Sequence, residues 1–256
     1  MKRFFSLLLT VAMFFSINTV AYASEVASGD EFVEATPIYV DVETRLMKTS
    51  TSPAGALPAT TADIEASNNM EDKIVVSANE GLTRAATWTY LSNYLVYNQT
   101  TSYNCGPASV QAALKYINGN TPTQAKIAEG CKTTTSGTYL SNMLTYINGQ
   151  QSANKYVSKY NANSDTMKSC LYSGIVTYNA APVIGMAFSS NDGWLYSSGG
   201  HFMSVYGATS DKSKFALADP WIGYSGSGLN NNSWSYSKSA TDIYNAYSSV
   251  NIGLMY

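Results

Sequence analysis

Four residues whose types can do chemistry together occur in the order Gln99, Cys105, His201, Asp219. His201 is the sole histidine of the 256 residues, so any mechanism that needs an imidazole near neutral pH has to use it. Cys105 stands in YNCGPAS and Asp219 in ALADPW. A cysteine attacks as its thiolate, yet an ordinary free thiol has a pKa of about 8.5 and is mostly protonated at neutral pH. A helix N-terminus stabilises the anion through its unpaired N–H groups, and an adjacent imidazolium does so more strongly. A carboxylate on the other ring nitrogen would fix the tautomer, and a side-chain amide beside the nucleophile's own N–H would receive the oxyanion of acyl transfer. Each residue also has a plainer reading. Cys105 as buried filler, His201 as a structural ring, Asp-Pro as a strand end and Gln99 as a surface residue would each suffice alone. Their joint occurrence points to a thiol hydrolase site.

The elements that must position these groups follow from the pattern. After Cys105, the residues Val110, Ala113, Leu114 and Ile117 recur at helical spacing, Pro107 suits a first turn, and Asn118-Gly119 supplies a left-handed stop. Cys105 therefore lies at a helix N-terminus. Thr121-Pro122-Thr123-Gln124 reads as a capping box opening a second helix that ends at Gly130. Leu140, Met143, Leu144 and Ile147, closed by Gly149, give a third helix, and Ser164 to Leu171 a fourth. The period then changes to two, with strands expected at Pro182 to Phe188, His201 to Ala208 and Lys214 to Asp219. The last two should form a hairpin centred near Asp211. That register makes His201 and Asp219 near-diagonal neighbours on one face, within side-chain reach. The Ser/Gly/Asn-rich run Ser189 to Gly200 reads as a solvent loop, with a lid over the site as the alternative. Helices first and an antiparallel sheet after them make an α+β fold.

Composition bounds the rest. Lys2 and Arg3, an apolar stretch from Phe4 to Phe15 and Ala21-Tyr22-Ala23 read as a secretory signal peptide over residues 1–23. That stretch is too short for a lone spanning helix, which needs about 20 apolar residues, so a mature protein outside the cytoplasm without a membrane span is expected. Residues 24–85 lack periodicity and read as a largely irregular pro-segment or a linker, with a strand at Thr36 to Val42 and a processing point at Arg84-Ala85. Their four basic residues stand against eleven acidic ones, whereas residues 86–256 carry nine Lys against six Asp and Glu. Opposite charges make an intramolecular partnership of pro-segment and domain an expectation. Residues 86–256 suit one globular core. Charged residues are only 12% of the chain and form no basic patch, which argues against nucleic-acid binding. One His and three scattered Cys give no close-set metal ligands, and no cofactor is expected. Pairing Cys131 with Cys170 would leave Cys105 unpaired; three buried reduced cysteines are the alternative.

Gln99 with Cys105 in QTTSYNCGPAS, His201 in GGHFMSV and Asp219 in ADPW resemble the papain-like cysteine peptidases of family thirty-nine. Its founding members trim double-glycine leaders from bacteriocins, and the likeness is strongest to its stand-alone secreted relatives. The similarity spans about residues 90 to 225. It implies a papain-like fold, N-terminal helices packed on a C-terminal antiparallel sheet, with Cys105 as nucleophile, His201 as base and acid, Asp219 as orienter and Gln99 in the oxyanion hole. A peptide or protein substrate is then expected, although no transporter segments follow and the leader substrate is not implied. Two other readings stay open: a cell-wall peptide endopeptidase of NlpC type, and a non-catalytic extracellular binding domain on the same fold.

Overall fold

The computed structural model describes residues 32–34, 53–70, 73, 85–229 and 234–256. The signal peptide read at 1–23, the strand read at 36–42 and the processing point at Arg84 lie outside the described residues. In chain order, β1 (Phe32–Glu34) and α1 (Thr61–Asn68) precede β2 (Trp88–Tyr90) and β3 (Leu95–Tyr97). Three helices follow: α2 (Cys105–Asn118), α3 (Gln124–Gly130) and α4 (Leu140–Gln150). Then come β4 (Ser158–Lys159), α5 (Ser164–Val176), β5 (Val183–Phe188), β6 (Ser198–Thr209) and β7 (Lys214–Ala218). The chain closes with β8 (Ser235–Ser239), α6 (Ala240–Ser248) and β9 (Leu254–Met255). The architecture is α+β, helices against an antiparallel sheet, as the change of period predicts. No helix among the described residues is long and apolar enough to cross a membrane.

The sheet runs β4-β9-β5-β6-β7-β8, and β2 adds to the far end of β6. Strand β6 is its spine, pairing antiparallel with β5, β7 and β2. Helices α2 and α5 pack on it, so every residue from Gly200 to Thr209 is buried. A half-exposed alternating strand is therefore not what forms here: apolar and small residues fill both faces. The pairs Ser204–Ala218 and Val205–Leu217 centre the β6–β7 hairpin on residue 211, and a bulge then offsets the pairing to Gly207–Ala216. Upstream of the bulge the register keeps His201 two positions from the residue facing Asp219.

Helix α2 starts at Cys105 and ends where Gly119 adopts φ 72°, a left-handed stop that glycine takes without a Cβ clash. Other expectations need correction. The N-cap of α3 is Thr123, whose side chain accepts from the Lys126 N–H, so the box read from Thr121 does not form. Gln124 turns its amide to Thr100 and Asn98 instead. Helix α5 continues five residues beyond Leu171, because Cys170, Leu171, Ser173, Gly174 and Ile175 are buried and tertiary packing outweighs the weak pattern. Elements β8, α6 and β9 lie in a Ser/Tyr/Asn-rich tail with no clear apolar period. Within the stretch read as largely irregular, α1 forms with a reciprocal Thr60–Asp63 capping box.

Cys131 and Cys170 do not pair; all three cysteines are free and buried. Cys131 caps α3 next to Tyr146 of α4, whereas Cys170 lies near Lys73, Lys212 and Tyr247. Burial pushes the Cys131 thiol up to about 12, which keeps it protonated and inert.

Candidate active site

The loop before α2 is set by an amide placed at a distance. Gln124 Oε1 accepts from the Thr100 N–H at 2.8 Å and from Thr100 Oγ1 at 2.9 Å. Its Nε2 donates to Asn98 O at 3.0 Å and Gln111 Oε1 at 3.2 Å. Asn104 donates to Thr100 Oγ1 and does not cap the helix, so the first-turn N–H groups beside Cys105 lack a bond from the N-cap side chain. Gly106 lets this turn approach β6: a Cβ there would lie 2.9 Å from Met143 Sδ and 3.3 Å from the ring of Phe202. Phe202 is the neighbour of His201, so this close packing delivers Cys105 to the histidine strand.

His201 Nε2 and Asp219 Oδ1 lie 2.9 Å apart with both side chains fully buried. The carboxylate takes three further donors: the Trp221 N–H at 3.0 Å on Oδ1, and Tyr196 and Tyr236 hydroxyls at 2.8 and 3.1 Å on Oδ2. Four donors fill its acceptor positions and hold its plane. His201 Nδ1 has no hydrogen-bond partner, although the Cys105 side chain is near enough to help raise the pKa of this ring. The two observations agree if the sulfur faces Nδ1 at a loose contact. Burial by itself would lower the ring's pKa; the Asp219 carboxylate, and then Cys105, outweigh it and leave His201 raised to about 9.

Gln99 is fully buried and is not a surface residue. Its backbone N–H donates to Pro220 O at 3.0 Å, which ties the loop before Cys105 to the residue after Asp219. Its Nε2 donates to Thr101 O at 2.6 Å, and its Oε1 is buried without a partner. An amide carries two N–H donors, so the bond to Thr101 uses one. All four residues singled out in the sequence thus lie in one region where α2 meets the start of β6 and the end of β7.

Three contributors went unread in the sequence: Tyr196, Tyr236 and Gln124. Tyr196 belongs to the Ser189 to Gly200 run, which is solvent-exposed at Asn191 to Gly193, Ser197 and Gly199 as the loop reading expects, but not at its centre. Its Trp194, Leu195 and Tyr196 are buried, with Trp194 stacked on Phe188 at 4.3 Å between centroids. The apolar triplet inside a polar run was the available signal. Tyr236 had none nearby, and Gln124 was disguised by a plausible cap.

Compared with known proteins, no curated sequence matches this chain. Among solved structures, the peptidase domain of Streptococcus ComA, a bifunctional ABC transporter involved in a quorum-sensing pathway, shares 18% identity, with a TM-score of 0.39 over 62% of this chain and 93% of that one. A double glycine motif protease from an AMS/PCAT transporter, solved with the leader peptide, shares 15%, with a TM-score of 0.40 over 72% of this chain and 96% of that one. The model of the Peptidase_C39 like family matches residues 91–252, a span that holds the cysteine, the histidine and the aspartate together with most of the sheet. With well over half its length matched, the chain belongs to the Peptidase_C39 like family.

Proposed function

We propose that this chain is a cysteine peptidase that hydrolyses peptide bonds through an acyl-enzyme, acting outside the cytoplasm after removal of residues 1–23. Cys105 is the nucleophile, His201 the base and acid, Asp219 the orienter, and Gln99 with the Cys105 N–H the oxyanion donors. The carrying observation is the buried His201 Nε2–Asp219 Oδ1 contact at 2.9 Å, which commits one ring nitrogen and leaves Nδ1 for the sulfur. A ring raised to about 9 is protonated at neutral pH, and an imidazolium beside a sulfur favours the anionic form.

In the proposed cycle the thiolate adds to the scissile carbonyl, and the oxygen takes the negative charge at the start of α2. Nδ1 then gives its proton to the leaving amine. Water then attacks the thioester with Nδ1 taking its proton, and the tetrahedral intermediate expels the sulfur as thiolate, which releases the acid product and restores the starting state. The Gln99 role requires its amide to offer its second proton to the oxyanion or to leave Thr101. Family membership supports peptidase chemistry, and the substrate class proposed is an extended peptide.

Mass spectrometry of a peptide-library digest, run for wild type and Cys105→Ala, tests this. Wild type whose Cys105 is open to an alkylating agent should release fragments and the variant none. Equal digestion by both, or no cleavage by wild type even when Cys105 is accessible to an alkylating agent, would remove the peptidase reading.

A further inference from the structure

The chain upstream of the catalytic domain runs across the sulfur. Residues 53–57 lie between Gly200 at the start of β6 and Thr138 before α4, and they hydrogen-bond to both sides. On the β6 side, the Gly55 and Ala56 N–H groups both reach Gly200 O, at 3.1 and 3.2 Å, and Ser198 Oγ donates to Pro53 O at 2.8 Å. On the other side, the Thr138 N–H donates to Gly55 O at 2.8 Å and the Leu57 N–H donates to Thr138 O at 3.0 Å. Both bridges, Ala54–Gly200 and Ala56–Thr138, are parallel. At the centre sits Gly55. A Cβ built on it would lie 2.6 Å from Cys105 Sγ and 2.7 Å from Tyr103 O, both far inside contact distance. Its φ is ordinary, so the glycine is needed for closeness to the sulfur and not for an unusual dihedral. Cys105 itself has no exposed surface.

We infer that Pro53–Leu57 is a built-in occupant of the catalytic cleft, a strap that blocks Cys105 and has to leave before any substrate enters. It deepens the peptidase reading by naming the regulation of that site, and it rests on that reading for what the cleft later admits. The strap is not itself presented for cleavage. Attack on a carbonyl requires its oxygen to face the donors at the start of α2. The Gly55 oxygen is committed to the Thr138 N–H and the Pro53 oxygen to Ser198 Oγ. Both carbonyls are thus held by donors other than the proposed oxyanion donors.

Downstream contacts clamp the strap. Ser67 Oγ donates to Ser158 O at 2.7 Å, and the Lys73 ammonium lies 3.9 Å from the Tyr178 ring centre while donating to Asn154 Oδ1 at 2.6 Å. The described contacts to the domain are hydrogen bonds, apolar packing and one lysine, so the strap is held mainly by shape and backbone pairing. The salt-sensitive attraction that the charge imbalance suggests is not needed for it.

The test is the rate at which iodoacetamide labels Cys105 in the full chain, read by peptide mass spectrometry. Gly55→Val cannot seat against the sulfur and should label at least tenfold faster than wild type. A synthetic peptide of residues 52–59 added to Gly55→Val should slow labelling back towards the wild-type rate, a rescue that misfolding would not give. Equal labelling of wild type and Gly55→Val would overturn the strap. Should the variant fail to fold, hydrogen exchange of the wild type decides: slow exchange at Gly55 and Leu57 supports the strap, and exchange at the unprotected rate overturns it. Labelling does not require hydrolysis. Faster labelling with no peptide cleaved would sink the peptidase reading and leave the strap standing, whereas cleavage with equal labelling would do the reverse.

Discussion

Asp219 is the most heavily constrained side chain of the site, and its constraint comes from residues outside the proposed catalytic set. Tyr196 and Tyr236 both donate to Oδ2, while His201 and the Trp221 N–H share Oδ1. Burial raises both tyrosines well above the ordinary phenol value, with the Asp219 charge adding to it, so both remain donors at any working pH. Losing one hydrogen bond to a buried charged group costs about 1.5–3 kcal/mol. Tyr196→Phe should lower stability by about that amount in urea unfolding, and the double variant with Tyr236→Phe should cost more than the two singles added. The excess arises because the second loss leaves Oδ2 buried without a donor. Strict additivity in the cycle would show that the two hydroxyls do not share the carboxylate in solution.

At the scale of elements, what counts is how α2 is aimed at β6. Helix α2 was legible because Val110, Ala113, Leu114 and Ile117 repeat at its period and Gly119 stops it. The centre of the β6–β7 hairpin was legible because the connection between the two strands is short. What stayed hidden depends on contacts across large separations in sequence. Gln124 lies 24 residues from Thr100, and nothing local announces that its amide holds the loop before Cys105. Gly106 looks like any helical glycine until Met143 and Phe202 are seen against it. Gln124→Leu keeps the volume but strands the Thr100 N–H and the Asn98 carbonyl, at about 1–3 kcal/mol for each buried group. Denaturant unfolding should show a loss of about 2–6 kcal/mol, against less than half of that for Thr100→Ala, which keeps the backbone bond. Gly106→Ala should cost about 1–3 kcal/mol by overpacking, since Met143 can yield while Phe202 and Thr138 hold the remaining space. A Gly106→Ala protein as stable as wild type would mean that α2 has room to withdraw from β6.

For the whole molecule, the sequence could identify a Cys–His–Asp constellation because the chain holds a single histidine, but it could not show that residues 53–57 cross it. Backbone pairing of an irregular segment leaves no periodic trace, and TSTSPAGALPATT reads the same whether solvated or docked. The same burial that hides the site shapes the pH dependence of folding. His201 is raised from 6.5 to about 9, so the fold favours its protonated ring. This contribution is complete below about pH 6.5 and is lost as pH rises through about 9. Its full size is on the order of 3 kcal/mol at about 1.36 kcal/mol per pH unit. Lys73 works in the opposite sense, because burial lowers it to about 8 and the unfolded chain then binds its proton more tightly above that pH. Cys131, raised to about 12, withdraws stability only above the ordinary thiol range. The interval from about pH 6.5 to 8 therefore isolates the histidine. Urea unfolding across that interval should show stability falling as pH rises, and His201→Gln should remove most of the slope while lowering stability at pH 6.5. A wild type whose stability is flat or rises from pH 6.5 to 8 would mean that the fold does not favour the protonated His201 ring over the neutral one.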